Sequence, residues 1–202
     1  MDLDLLVSRE VLEAEPWPAC MLDRSGDIVR VNGAWDRVAG ETKGPFAVEV
    51  LGTRWSEHIT GAELCAWYEN LLARVLDRGV GESHRCDCNT PDRIRLFSSR
   101  FEPIRKRRSA EVVGALVLTS MIEEAPIGER YQFGEPDALR YLTIDSLILQ
   151  CSGCRRVRVA GPPPTVWELV PEYVATPRQD VSHGLCNLCR ELHYGMPARE
   201  AA

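Results

Sequence analysis

Two Cys-x-x-Cys pairs, Cys151 with Cys154 and Cys186 with Cys189, stand 31 residues apart in the last third of a 202-residue chain. No other feature restricts the fold as strongly. Two residues between cysteines let the backbone wrap an ion and present both thiolates to neighbouring corners of a tetrahedron, and a second such turn completes a four-sulfur site. Competing uses of the pairs meet the wrong neighbours. Covalent haem attachment needs His directly after the second cysteine, where Arg155 and Arg190 stand. A thioredoxin-type redox pair is a single motif in a strand–helix setting. Four thiolates hold iron as well as zinc, and structural Zn2+ is the expected occupant. Four protein ligands leave no open position for water or substrate, so such a metal folds the segment and does not catalyse. Gly153 and Gly184 are expected to give the backbone the freedom that packing around an ion requires. His183 lies three residues before Cys186, within reach of the metal. It is expected to bond a thiolate or main-chain group through its ring N–H, with direct ligation the alternative. His193, four residues past the last cysteine, is expected to be exposed.

The composition of 45% hydrophobic and 27% charged residues is that of a globular protein. A net charge of -6 supplies no protein-wide positive field for nucleic acid or anionic lipid, so such binding would be local. Two basic clusters, Arg105-Lys106-Arg107-Arg108 and Arg155-Arg156 with Arg158, are the places for it. The longest apolar runs, Val112–Met121 and Leu147–Leu149, fall short of the ~20 residues a membrane span needs. Asp2, Asp4, Glu10, Glu13 and Glu15 against Arg9 are wrong for a secretory leader. The expectation is a cytoplasmic protein, where thiols stay reduced and free for metal. The apolar residues of the second half (Leu147, Ile148, Leu149, Val157, Trp167, Leu169, Val170, Tyr173, Leu185, Leu188 and Leu192) make a core that is marginal alone. Structural zinc contributes about 10–16 kcal/mol in small modules and offsets that deficit.

In the first half, Ala19–Arg24 and Ile28–Asn32 flank the turn Ser25-Gly26-Asp27 and predict a hairpin. Asn32 is placed to cap a helix over Gly33–Ala39. Leu64, Trp67, Tyr68, Leu71, Leu72, Val75 and Leu76 predict an amphipathic helix over Ala62–Leu76, stopped by Gly79. Three strands follow, Glu82–Cys88, Ile94–Ile104 and Val112–Met121. With this order, the run Ala19-Cys-Met-Leu-Asp-Arg-Ser-Gly-Asp-Ile-Val-Arg-Val-Asn-Gly-Ala-Trp35 resembles a PAS domain, as do the strands closing with Phe97–Ile104 and Val113–Thr119. The resemblance implies an α+β fold, a five-stranded antiparallel sheet with flanking helices, to which the cysteine pairs add a small C-terminal zinc-binding domain. It also implies a space between sheet and helices that relatives fill with haem, flavin or metabolites, or leave packed, so a PAS ligand stays unidentified. His58 and His84 are the haem candidates, with a hydrogen-bonded or solvated role as the plainer reading. Cys86 and Cys88 share one strand face, and with Cys65 could bind metal or sense oxidation, or be buried thiols. Trp35, Trp55, Trp67 and Tyr68 read as core and helix cover. The expected organisation is an amphipathic helix over 1–16, a PAS-like sensor over 17–123, a connecting segment over 124–150 and a zinc-finger-like domain over 151–196. The stripe Leu3, Leu6, Val7 and Val11 needs a partner surface, either a second copy in a homodimer or the chain's own sheet.

The strings Cys151-Ser-Gly-Cys-Arg-Arg-Val-Arg158, Trp167-Glu-Leu-Val-Pro-Glu-Tyr173 and Ser182-His-Gly-Leu-Cys-Asn-Leu-Cys189 resemble a zinc-binding segment found downstream of PAS or receiver domains in bacterial signalling proteins. That resemblance implies a signalling context. No phosphate-binding glycine loop, Ser-His-Asp arrangement or kinase signature is present. The expected function is therefore non-enzymatic: a PAS module senses a ligand, redox state or partner, and the zinc module is the interaction surface. The alternatives are a zinc-ribbon transcription regulator contacting nucleic acid, and a haem or redox sensor.

Overall fold

The computed structural model describes residues 9–42, 44–107, 109–126, 133–161, 166–176 and 178–197. Its contacts divide the chain into two units. One holds the chain up to Ile59, Cys65–His84 and Ser98–Ser120; the other holds Thr60–Leu64, Arg85–Phe97 and the chain from Met121 onward.

In the first unit, helix α1 (Arg9–Glu13) leads to strands β1 (Ala19–Asp23) and β2 (Ile28–Val31), then helices α2 (Gly33–Thr42) and α3 (Ala47–Val50) and a 3-10 turn over Trp55–His58. Helix α4 spans Ala62–Arg78, and strands β3 (Glu82–Asp87), β4 (Arg93–Arg105) and β5 (Val112–Pro126) follow; Ala62–Leu64 of α4, Arg85–Asp87 of β3, Arg93–Phe97 of β4 and Met121–Pro126 of β5 belong to the second unit. The sheet order is β2-β1-β5-β4-β3. Strand β1 pairs antiparallel with β2 and with β5, Cys20 lying opposite Val31 and Val117. This is the α+β, PAS-like architecture expected from the sequence. Helix α4 buries Tyr68, Leu71, Leu72, Val75 and Leu76, as its apolar spacing predicts. It ends at Gly79, whose φ of 65° is left-handed and favours glycine.

Two local expectations change. Asn32 does not cap α2 with its side chain. Its carboxamide oxygen accepts from Ala19 N at 3.0 Å, and Nδ2 donates to the carbonyls of Trp17 and Glu15 at 2.9 and 3.0 Å. Glu13 serves the helix start instead, accepting from Gly33 N at 2.8 Å. In α1 it is Leu12 that is buried, packed with Ala19, Met21, Ile104 and Leu118, while Val11 stays exposed. The described turn of this helix thus docks on its own sheet; Leu3, Leu6 and Val7 lie outside the described residues.

The second unit is built on a four-stranded sheet of order β8-β7-β6-β9, from β6 (Ile148–Cys151), β7 (Val157–Arg158), β8 (Trp167–Glu168) and β9 (Val181–Gly184). Helices α5 (Ala138–Tyr141), α6 (Pro171–Ala175) and α7 (Asn187–Leu192) complete it. Tyr141, Ile148, Val157, Val170 and Tyr173 form its core. Among the described residues, no helix is long and apolar enough to cross a membrane.

Candidate metal centre

Strands β6 and β9 pair in parallel, Ile148 opposite Val181 and Cys151 opposite Gly184. Parallel strands end side by side, so the turn after each emerges at the same edge. One turn is Cys151–Cys154 and the other Cys186–Cys189. Ser152 N donates to Gly184 O at 2.7 Å and ties the two together. Cys186 N donates to Cys151 Sγ and Cys189 N to Cys186 Sγ, each at 3.4 Å. All four cysteines are buried, and their sulfurs lie within 4.8 Å of one another.

The spacing fits a metal ion. A tetrahedron with metal–sulfur bonds of about 2.3 Å separates its sulfurs by about 3.8 Å, and Cys154 Sγ lies 3.7 Å from Cys186 Sγ. A disulfide needs about 2.05 Å. Ionisation points the same way. Hydrogen bonds from Cys154, Cys186 and Cys189 hold the Cys151 thiol well below its ordinary value, whereas contact with Cys151, Cys154 and Cys186, together with burial, pushes Cys189 far up. Four buried thiols cannot all ionise side by side without a cation among them; a divalent ion lets all four serve as ligands. The cluster is thus capable of coordinating a metal.

Gly153 and Gly184 act by proximity more than by backbone freedom. A Cβ on Gly153 would come 3.3 Å from Cys189 Sγ, and one on Gly184 3.4 Å from Leu149 Cδ1, and neither has a positive φ. The left-handed residue of the first turn is Arg155, with φ 66°. His183 sits on β9 opposite Gln150 and is not among the clustered ligand atoms. Burial, aided by Arg155, lowers the pKa of its imidazole and favours the neutral ring.

Three residues from outside the Cys-x-x-Cys segment complete the surroundings. Buried Asn89 donates from Nδ2 to Cys154 O at 3.1 Å while its Oδ1 accepts from Arg95 N at 3.0 Å. Asp87 lies with its Oδ2 3.9 Å from Cys189 Sγ and 3.2 Å from His193 Nε2. Glu63 pairs with the buried Arg190 of α7. His193 is therefore not the exposed residue expected, its side chain being only 11% exposed. These partners are 65 to 127 positions away in sequence, and no local pattern announces them.

In the first unit, both haem candidates have Nε2 engaged by a hydroxyl: His58 with Thr53 Oγ1 at 2.6 Å and His84 with Tyr68 OH at 2.7 Å. Tyr68 meets Trp55 and Trp67 edge to face, at centroid distances of 5.2 and 5.1 Å. Cys20 is buried, and burial pushes its thiol up to about 12. Cys65 and Cys86 are half-buried, whereas Cys88 is exposed. Among the described residues, none of these three joins a group of potential metal ligands. Arg105 donates to the carbonyls of Ala110 and Gly79, at 2.6 and 2.5 Å, and Lys106 pairs with Glu111, so this part of the basic cluster is engaged internally; Arg108 lies outside the described residues.

No protein-family model and no curated protein matches the sequence. Solved structures do resemble the chain. The PAS domain of Bordetella pertussis BvgS is 21% identical, matching 64% of this chain and 90% of its own, with a TM-score of 0.48. The PAS domain of the histidine kinase ThkA is 18% identical over 50% of this chain and 95% of its own, with a TM-score of 0.40. A PAS domain from Colwellia psychrerythraea is 15% identical over 56% and 92%, with a TM-score of 0.41. Sheet and cluster together define the class: a protein with a PAS-like α+β domain and a four-thiol site able to hold a metal ion.

Proposed function

We propose that this is a non-enzymatic, cytoplasmic signal-transduction protein in which the PAS-like domain senses a ligand, redox state or partner and a structural zinc module offers the interaction surface. The observation that carries the reading is the convergence of Cys151, Cys154, Cys186 and Cys189 at tetrahedral spacing. In this reading the four sulfurs hold Zn2+, and the ion supplies a cross-link between the two turns that a small core would lack. The neutral imidazole of His183 supports the second turn from β9. The PAS-like domain covers residues 17–123, the connecting segment 124–150 and the zinc module 151–196. A homodimer through the amphipathic start of the chain and a protein partner for the zinc module complete the proposal.

Metal analysis together with native mass spectrometry of the reduced full chain tests it. The expected result is zinc bound through the four thiolates, lost in Cys154→Ser and Cys186→Ser. Metal content under about one tenth of an equivalent in untagged protein overturns the zinc reading. Iron in its place, with a coloured protein, overturns the choice of ion.

A further inference from the structure

One sulfur of the four-cysteine cluster belongs also to a second set of ligand atoms. Asp87 Oδ2, His193 Nε2 and Cys189 Sγ all lie within 4.8 Å of one another. The carboxylate is 3.2 Å from the imidazole nitrogen and 3.9 Å from the sulfur. Their setting is nearly closed, the Asp87 side chain being 12% exposed and that of His193 11%. Asp87 arrives from the end of β3 and His193 from the end of α7, so the geometry is not that of neighbours on one strand or helix turn.

A tetrahedral divalent ion with bonds of about 2.0 Å to oxygen and nitrogen and about 2.3 Å to sulfur sets O and N about 3.3 Å apart and O and S about 3.5 Å apart. The observed O–N separation of 3.2 Å matches the first value, and the O–S separation of 3.9 Å lies about 0.4 Å beyond the second, a shift that a bound ion would have to draw in. Charge favours the same occupant. Four thiolates around one divalent ion leave a net negative site, and the Asp87 carboxylate brings further negative charge to within 4 Å of Cys189 Sγ. A second cation between them turns that repulsion into ligation. Oxygen, imidazole and thiolate together suit zinc-like first-row ions better than Mg2+ or Ca2+, which prefer all-oxygen shells.

We propose that Asp87, His193 and Cys189 bind a second divalent ion of the zinc class, with Cys189 Sγ bridging the two metals and one coordination position left to solvent. The proposal rests on the four-cysteine reading above but is separable from it. Unlike the first site, this one has three protein ligands, and its remaining position suits a donor small enough for the nearly closed setting, such as water.

The test titrates the reduced, metal-free full chain with Co2+ and with Zn2+, reading stoichiometry by native mass spectrometry and the Co2+ visible spectrum. The expected result is two equivalents, the first giving a tetrathiolate spectrum and the second, weaker, adding a distinct band. Asp87→Asn and His193→Gln are each expected to weaken the second equivalent by at least about tenfold while leaving the first and its spectrum in place. Saturation of the parent chain at one equivalent overturns the second site and leaves the four-cysteine site standing. Two equivalents unaffected by either variant also overturn it, by placing the second ion elsewhere. No binding at all overturns both sites.

Discussion

Arg155 follows directly on Cys154 with φ 66°, a conformation that a residue with a Cβ adopts at a cost of about 1–2 kcal/mol. The turn holds it there: Arg155 N donates to Cys151 O at 3.0 Å, and Arg155 O accepts from Gln150 Nε2 at 3.2 Å. Arg155→Gly is expected to stabilise the second unit by about 0.5–1 kcal/mol, read as a higher urea midpoint with metal content unchanged. Asn89 is the opposite case, a side chain satisfied at both ends. Asn89→Ala leaves Cys154 O and Arg95 N without that partner and is expected to cost about 1–3 kcal/mol. Asn89→Asp keeps an acceptor for Arg95 N and lacks the donor to Cys154 O, so it separates the two bonds in the same urea measurement. At this scale the sequence is legible where residue type is itself the signal, as with four cysteines at fixed spacing. It is silent where an ordinary Arg takes a glycine's conformation, or where an Asn, Asp or Glu reaches the site from far along the chain.

Elements were easier to read than their partners. The hairpin, the long α4 and strands β3 to β5 follow from period and turn chemistry, and the structure lengthens β4 and β5 by a few residues beyond the expected ends. The parallel pairing of β6 with β9 could not be read from periodicity, because each strand is only four residues long. Leu147, Leu188 and Leu192, expected in the core, are exposed; in α7 it is Cys189 and Arg190 that take the buried face. What the apolar pattern missed is a buried polar junction between α5 and β8. Glu168, 2% exposed, accepts from Arg140 Nη2 at 2.5 Å, Arg140 Nε at 3.0 Å and Tyr141 OH at 2.8 Å.

The Arg140 hydrogen bonds lower the Glu168 pKa below the ordinary 4.5, against the upward push of burial and with help from Tyr141. A carboxyl depressed on folding contributes stability that is complete above its unfolded value and lost as pH falls through the folded one. The second unit should therefore weaken as pH falls below about 4.5, and Glu168→Gln should flatten that acid limb in pH-dependent urea unfolding. The two single variants differ at neutral pH. Removing Arg140 leaves the buried Glu168 carboxylate with Tyr141 OH alone and is expected to lower the urea midpoint of the second unit. Removing the Glu168 charge costs less, because the Arg140 side chain is half exposed and stays hydrated.

At the scale of the molecule, three of the five unit boundaries fall inside strands, between His84 and Arg85 in β3, Phe97 and Ser98 in β4, and Ser120 and Met121 in β5, and a fourth, between Leu64 and Cys65, falls inside α4. Chelation in the presence of reductant is expected to strip amide protection from the second unit as a whole, Arg85–Phe97 included, while Met21, Val75 and Phe101 in the first unit's core keep theirs. Hydrogen exchange with and without chelator checks this. Loss confined to 151–189, with Arg85–Phe97 still protected, would show that the strand ends do not depend on the metal.

Residues that serve one centre are therefore scattered over three stretches of chain. Trimming the protein to a tail that begins at Glu124 would discard Glu63, Asp87 and Asn89 together, so a transplanted tail would carry the sulfurs to a new host without the side chains that brace them.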